Sequence, residues 1–276
     1  MKKFSSIICV TFIAAIFTLI QFFLPLNVEK KLSTQLDNSI NNVKANEYNL
    51  NTTFSNVQNP KEVFLTFDDG PCINNTRKTL KILKDNNVKA TFFVVGMKGE
   101  ENPQILKEIS NSGMSIGVHT YSHDYRQMYK NTDAYFKDYN DCQSVIKKIT
   151  GRNPIVYVRM PGGSDNLVTS KSNLESIKKR LNEKGIKYVD WNVSAGDAES
   201  REVSADKIKQ NIITQCKDKS IAVILMHDTY YNSSTVEALP DVIKYLKKEG
   251  FVFKTLDGLT TNEENRMVNT RVMNRL

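Results

Sequence analysis

Short apolar runs alternate with amphipathic stretches along the chain from residue 61 onward. The apolar runs predict seven strands, at residues 63–67, 90–95, 115–118, 155–158, 188–193, 221–225 and 251–253. Apolar residues at helical spacing predict helices between them, at residues 75–86, 103–111, 135–149, 174–183, 204–215 and 236–248. This alternation predicts an α/β fold with a parallel sheet. Seven strands fit a barrel slightly short of eight units, and a doubly wound open sheet is the alternative.

The first 60 residues follow a different pattern. Residues 7–26 are almost wholly apolar and carry no charge, and about 20 such residues are the length of a membrane-spanning helix. No small-x-small cleavage site is evident, so we interpret residues 1–26 as an uncleaved signal anchor, with cleavage and secretion as the alternative. Residues 27–60 are polar and rich in Asn, which is typical of a tether between a membrane and a folded domain.

Composition and charge indicate the extent of the folded domain, its expected partners and the state of its cysteines. Residues 61–259 form the predicted main domain, and the polar residues 260–276 form a tail that we expect to be disordered or bound to the surface. The net charge of +8 includes no dense basic run, so nucleic acid is not an expected partner. Cys9, Cys72, Cys142 and Cys216 show no CxxC spacing. We expect mostly free thiols, with a Cys142–Cys216 bridge as the alternative.

Two adjacent carboxylates, Asp68 and Asp69, follow the first predicted strand and precede Gly70-Pro71. Neighbouring carboxylates repel each other when partly buried, unless they share a cation or one of them is protonated. The pair therefore suggests a metal ligand beside a catalytic base. The alternative is a solvated turn, because Asp, Gly and Pro are ordinary turn residues.

All three histidines of the chain, His119, His123 and His227, lie just beyond predicted strands. Because active sites of barrels lie at the C-terminal ends of the strands, we expect these rings to meet Asp68 and Asp69 in one cleft. His-x-x-x-His spacing places two imidazoles on the same side of a helical turn or a turn-like loop. With one carboxylate they form a His2Asp set, which suits zinc and related divalent ions.

Arg159 ends the fourth predicted strand and is followed by Met160, Pro161 and two glycines. An Arg at this position is able to hold a carboxylate bidentately and keep it ionised, as a catalytic base requires. The Pro-Gly loop is able to point backbone N–H groups at a developing oxyanion. A plain turn with an exposed Arg is the alternative.

Four motifs in this order resemble those of carbohydrate esterase family 4, the polysaccharide deacetylases, which include chitin and peptidoglycan N-acetylglucosamine deacetylases. These motifs are Thr66-Phe67-Asp68-Asp69-Gly70, His119-Thr-Tyr-Ser-His123, Arg159-Met-Pro161-Gly-Gly163 and Leu225-Met-His227. The resemblance covers about residues 61–259. It implies an irregular (β/α)7 barrel, here preceded by the predicted transmembrane helix and polar linker.

The resemblance also implies roles for the carboxylates and the first two histidines. Asp69, His119 and His123 would bind one divalent metal ion, zinc in the first place, with cobalt or nickel as alternatives. Asp68 would be the base that activates water, and Arg159 would tether it. The two adjacent carboxylates are thereby given different tasks, one on the metal ion and one away from it.

The remaining implied roles concern the leaving group and the acetyl group. His227 would protonate the leaving amine, and Leu225 would line the pocket for the acetyl methyl. The backbone N–H of Gly162, which follows Pro161, would stabilise the oxyanion. Family members often carry a Tyr where Gly162 stands, so this chain lacks one wall of the substrate groove.

The fourth family motif, usually Asp-x-x-Asp-Trp, is only partly present. When it is aligned after the Trp-bearing strand, Ser194 replaces the first Asp and Ala198 replaces the Trp. Asp197 keeps the carboxylate that tunes the catalytic histidine, and we predict that it is the partner of His227. Asp190, inside the fifth predicted strand, is the rival.

Together these features predict a monomeric, single-pass membrane protein with an extracytoplasmic, metal-dependent polysaccharide N-deacetylase domain. The expected substrate is peptidoglycan, at its N-acetylglucosamine residues. Alternative substrates are chitooligosaccharides, poly-N-acetylglucosamine and O-acetylated xylan. A metallophosphatase-like hydrolase and a non-catalytic glycan-binding domain are further alternatives, although glycan binding alone requires neither a base nor an acid.

Overall fold

The computed structural model describes residues 60–200 and 202–274, together with Ser39. The predicted signal anchor, residues 1–26, lies outside the described residues. So does the predicted linker, residues 27–60, apart from Ser39 and Pro60. No helix within the described ranges is both long enough and apolar enough to cross a membrane.

The first predicted strand lies at the centre of a parallel sheet. Along one edge, β1 (Glu62–Asp68) pairs over its whole length with β7 (Ile221–His227). On its other edge, the first three residues of β1 pair with β8 (Val252–Lys254) and its last three pair with β2 (Thr91–Val95). Because β1 is buried on both faces, its sequence is an apolar run rather than a strict alternation.

The sheet continues outward from this centre in both directions. Its order is β5-β4-β3-β2-β1-β7-β6, and the outer strands are β3 (Ser115–Thr120), β4 (Tyr157–Val158), β5 (Lys187–Tyr188) and β6 (Val193–Ser194). Every ladder is parallel, which confirms the α/β fold with a parallel sheet. Among the described strands, β5 and β6 are the two ends, so backbone pairing does not close a complete barrel.

The fifth predicted strand, residues 188–193, was wrong as one element. The structure divides it into β5 and β6, at opposite ends of the sheet. The chain between them crosses the opening: the Asp190 N–H donates to the Val272 carbonyl, and the Asn192 N–H donates to the Val223 carbonyl. An apolar run records burial, and it does not show that consecutive residues pair with different neighbours.

Helices follow most of the strands. They are α1 (Thr76–Asp85), α2 (Gly96–Glu101), α3 (Pro103–Asn111), α4 (Tyr125–Met128), α5 (Thr132–Thr150), α6 (Lys171–Glu183), α7 (Ala205–Cys216), α8 (Ser233–Lys248) and α9 (Thr261–Asn269). The predicted starts of α5 and α6 lie three residues too late, at apolar positions. In the structure, the Asn131 and Ser170 side chains cap these helices by accepting from backbone N–H groups in the first turn.

Alternating residues of β1 separate two apolar layers. Val63, Leu65 and Phe67 belong to the large core between the sheet and the helices. Phe64 points the opposite way and packs with Met267 and other residues of the C-terminal segment. The period-2 geometry of a strand therefore supplies both layers from one short run.

The expectation of a disordered or surface-bound tail at residues 260–276 was wrong. Thr260 and Glu263 form a capping box that starts α9. Met267 and Val272 are fully buried in the second apolar layer. Arg266 pairs with the buried Glu62 of β1. The segment is polar in composition because most of its residues face water or charged partners, while a few apolar residues fill the concave face of the sheet.

Three of the four cysteines lie within the described residues. Cys72, Cys142 and Cys216 are free and buried, which confirms free thiols there, and no Cys142–Cys216 bridge forms. Burial raises the pKa of both Cys142 and Cys216. Cys9 lies outside the described residues.

Candidate active site

The C-terminal ends of the strands bring the chemical groups of the chain together. Asp68 ends β1 and His227 ends β7, and their backbones are direct partners in the parallel ladder. His119 lies in the last two residues of β3, and Arg159 directly follows β4. Parallel strands present their carboxyl ends at one edge of a sheet, so these side chains surround one site.

Asp69, His119 and His123 form a cluster with the composition of a metal site. One ligand atom from each residue lies within 4.8 Å of the others. Asp69 Oδ1 is 3.2 Å from Nε2 of both imidazoles, yet it is buried and has no partner with hydrogen-bond geometry. Burial opposes ionisation of this carboxyl, but the two imidazoles hold the pKa of Asp69 well below its ordinary value. A divalent cation fits this His2Asp set.

Neighbouring groups orient the three side chains of this cluster. His119 Nδ1 donates to the Arg159 carbonyl at 2.7 Å, which leaves Nε2 facing Asp69. Asp69 and His123 both have left-handed backbones, with φ of 70° and 54°. Non-glycine residues rarely adopt this conformation, so the loops that carry them are held by other contacts. One of these is Lys98 Nζ, which donates to the Asp69 carbonyl at 2.7 Å.

Asp68 stands apart from the metal cluster and is paired with Arg159. The Arg159 side chain is fully buried, and its Nη1 donates to Asp68 Oδ1 at 3.1 Å. The expected bidentate contact is absent because the other donors are engaged elsewhere. Nη1 also donates to Thr66 Oγ1, while Nε and Nη2 donate to the carbonyls of Val189 and Asp190. These hydrogen bonds fix the position of the guanidinium independently of its contact with Asp68.

The structure places Asp197, and not Asp190, beside His227. Asp197 Oδ1 lies 2.8 Å from His227 Nδ1, and Asp197 Oδ2 accepts from the His227 backbone N–H and from Thr235 Oγ1. Asp190 accepts instead from the backbone N–H and hydroxyl of Ser164. Burial alone would lower the pKa of His227, but the hydrogen bond and charge of Asp197, together with more distant carboxylates, raise it to about 9.

The loop after Arg159 exposes a backbone donor. Gly162 has a φ of 79°, and no hydrogen-bond acceptor for its N–H is found among the described residues. The preceding Pro161 carbonyl is held by the Tyr129 hydroxyl at 2.8 Å. A Cβ on Gly162 would lie 3.4 Å from the Tyr125 ring. Tyr125, on α4, therefore stands beside the position where family members often carry a Tyr.

Leu225 lies two residues before His227 on β7, so both side chains project from the same face of the sheet. It is buried, and it pairs in register with Thr66 of β1. Thr66 is in turn the hydroxyl that accepts from Arg159. The register places Leu225 on the same face of the sheet as Thr66, Asp68 and His227.

Two buried acids of the site were missed by the sequence analysis. Asp138 lies on α5 and accepts hydrogen bonds from the loop between His119 and His123. Asp228 directly follows His227, and burial raises its pKa to about 7. Asp138 had a signal in the sequence, since it occupies the apolar stripe of its helix, where a carboxylate needs partners. Asp228 was overlooked because the sequence analysis considered only the adjacent His227 at this strand end.

Comparison with known proteins places this geometry in a family. The profile described as polysaccharide deacetylase matches residues 55–189. The chain is 36% identical to a peptidoglycan-N-acetylglucosamine deacetylase of Bacillus cereus, over 77% of this chain and 73% of the relative. It is 33% identical to the peptidoglycan-N-acetylmuramic acid deacetylase PdaA of Bacillus subtilis, over 75% and 74% of the two chains.

Solved structures agree with the sequence relatives. The catalytic domain of a peptidoglycan N-acetylglucosamine deacetylase from Eubacterium rectale matches with a TM-score of 0.66 and 34% identity, over 73% of this chain and 90% of that one. A CE4 esterase from Streptococcus mutans matches with a TM-score of 0.64 and 33% identity, over 71% and 86% of the two chains. On its sequence, its fold and the arrangement of its four motifs, the chain belongs to the polysaccharide deacetylase family of hydrolases.

Proposed function

We propose that this protein removes N-acetyl groups from peptidoglycan, at its N-acetylglucosamine residues, in a metal-dependent reaction. The observation that carries the proposal is the separation of the two adjacent carboxylates. Asp69 joins two histidines, while Asp68 is held by Arg159 and faces His227 across neighbouring strands. A base, an acid and a cation site in one place suit hydrolysis of an amide better than simple glycan binding.

Asp69, His119 and His123 would hold the cation, and we propose zinc, with cobalt and nickel as alternatives that the same ligands accept. When bound, such an ion acts as a Lewis acid toward the carbonyl and makes a water molecule more acidic. The orientation of His119 by the Arg159 carbonyl and the buried, unpartnered Asp69 Oδ1 support this assignment.

The reaction follows from the positions of the other residues. Asp68 accepts a proton from the attacking water, whose oxygen bonds to the acetyl carbon. The Gly162 N–H, which has no acceptor among the described residues, would donate to the oxygen that gains negative charge. His227, kept protonated by Asp197, gives its proton to the nitrogen as the C–N bond breaks. Acetate and a free amine result.

The choice of peptidoglycan rests on the relatives, whose names include both N-acetylglucosamine and N-acetylmuramic acid deacetylases. We place the domain outside the cytoplasm on a single-pass anchor, because residues 7–26 are apolar and about as long as a membrane span. A monomer is the expected state, and secretion after cleavage is the alternative to anchoring. Each free amine would add positive charge to the cell wall.

Acetate release from peptidoglycan, chitooligosaccharides and acetylated xylan tests the proposal. We expect release from peptidoglycan that needs a divalent cation and falls at least about 100-fold in Asp68→Asn, since that change removes a general base. Asp85→Asn is the matched control, because Asp85 is an exposed partner of Lys81. No release from any substrate by the metal-loaded protein would instead support a glycan-binding domain.

A further inference from the structure

One buried carboxylate accepts four hydrogen bonds from the connection between two of the proposed metal ligands. Asp138 Oδ1 accepts from Thr120 Oγ1 at 2.5 Å and from the Tyr121 N–H at 2.6 Å. Its Oδ2 accepts from the Ser122 N–H at 3.0 Å and from the Ser122 hydroxyl at 2.6 Å. These three residues are the ones that separate His119 from His123. Each oxygen of the Asp138 carboxylate therefore accepts two hydrogen bonds from this loop.

We propose that Asp138 is a positioning residue for the metal site, which acts by holding the His123 loop in its binding conformation. The proposal rests on the proposed function, because it concerns the same cation. The hydrogen bonds of Asp138 to this loop go to residues 120–122 and not to the imidazoles, so its effect passes through the backbone and hydroxyl groups of those residues.

The contact reaches His123 through the Thr120 hydroxyl. That hydroxyl donates its proton to Asp138, and the same oxygen accepts the His123 N–H at 3.2 Å. A hydroxyl has only one proton, so donation to the carboxylate leaves its lone pairs free for the backbone. His123 has a φ of 54°, a left-handed conformation that is unfavourable for a non-glycine residue. The relay from Asp138 favours this conformation over relaxed alternatives.

The position of Asp138 on α5 makes it a rigid support. α5 is a helix of 19 residues, and the residues near Asp138 on the same face, Tyr135, Tyr139 and Cys142, are buried in the main core. Groups on a packed helix are held more firmly than groups on a loop. Asp138 thus ties the three residues between the two histidines to the packed helix, in addition to the Met97 N–H that donates to the Tyr121 carbonyl.

An amide in place of the carboxylate would reverse part of this pattern. Asn has one acceptor oxygen and one NH2 group. In either orientation the NH2 group would face one N–H and one hydroxyl that now donate to Asp138. If the amide donates to Thr120, the hydroxyl proton is free to turn toward His123, and the relay is lost. The change retains size, so it tests the acceptor function.

The test measures cation affinity of the full-length protein by Co2+ titration, followed through visible absorption. Asp138→Asn is expected to raise the Kd for Co2+ about 10-fold or more, as for other groups that orient metal ligands. At saturating Co2+, acetate release should return to within about threefold of wild type, since the catalytic groups are intact. Asp141→Asn is the matched control. It removes the same charge from an exposed position on the same helix, where Asp141 pairs with Lys137.

A Kd within twofold of wild type for Asp138→Asn would overturn the proposal, even if thermal stability fell. If this variant does not fold, Ser122→Ala removes one of the four hydrogen bonds and decides the question. It should raise the Kd about two- to fivefold, an amount equal to part of one charge-assisted hydrogen bond, and an unchanged Kd would overturn the proposal. Absence of Co2+ binding by the wild type would refute the proposed function instead.

Discussion

Replacement of Asp197 by Asn should move the pH range in which the enzyme works. Asp197 accepts from both the ring and the backbone of His227, and the change removes its charge while it keeps its size. Burial opposes protonation of His227, and Asp197 is the main group that outweighs it. Without that charge, we expect burial to prevail over the more distant carboxylates and the pKa of His227 to fall below 6.5.

The size of the effect follows from the two pKa values. With a pKa of about 9, roughly nine-tenths of His227 rings carry a proton at pH 8. With a pKa below 6.5, fewer than about 3% would do so. The form able to protonate the leaving nitrogen would therefore fall at least about 30-fold at pH 8. A cation bound at Asp69 would cancel the part of the increase in the pKa of His227 that Asp69 causes, but it would leave the part that Asp197 causes.

The pH dependence of kcat/KM for acetate release is the assay. In the wild type, activity should decline as the pH rises through the range near 9, and in Asp197→Asn the decline should begin at least about 2.5 pH units lower. At pH 6 the two proteins should differ less than at pH 8. An alkaline limb that does not move would refute the assignment of Asp197 as the group that keeps His227 protonated.

The same pair predicts how stability depends on pH. The folded pKa of His227 lies above the unfolded value of 6.5, so its contribution is fully present below about pH 6.5 and is lost as the pH rises through about 9. The loss is roughly 3 kcal/mol for a difference of this size. Urea unfolding of the metal-free protein at pH 6 and pH 9.5 should show this decline in the wild type but not in Asp197→Asn.

Two further substitutions test the buried frame of the site. Arg159→Met should lower the free energy of unfolding by about 3–5 kcal/mol, because Asp68 would stay buried without its partner; a loss below about 1 kcal/mol in urea unfolding would contradict this. Met267→Ala should cost about 2–5 kcal/mol, since Met267 is fully buried on the concave face of the sheet. A melting temperature equal to wild type would contradict the burial of the C-terminal segment against the sheet.

Much of the fold was predictable because burial leaves a regular pattern. Apolar runs marked β1, β2, β3 and β7, and helical periodicity marked the main helices. The short helices α2 and α4 were missed because a helix of so few residues is too short to show a periodic pattern of apolar positions. Helix starts were displaced because polar caps, rather than apolar residues, define them.

The candidate site residues also fall into those that the sequence could identify and those that it could not. Asp68, Asp69, His119 and His123 could be found from sequence because each lies at or shortly after the C-terminal end of a strand and its type is rare or unusual there. Asp138 and Tyr125 could not be assigned to the site, since each reaches it from a helix that follows the strand. Likewise, the choice between Asp190 and Asp197 depended on how the chain crosses the opening of the sheet.

The sequence by itself determined the fold class, the family resemblance and the residue types that meet at the site, because these depend on local order along the chain. Only the tertiary structure decided which carboxylate pairs with which histidine or arginine, and that the C-terminal helix fills the concave face. Contacts between residues distant in sequence depend on strand order and register. Hydrophobic periodicity records whether a residue is buried, but it carries no information about the partner against which it is buried.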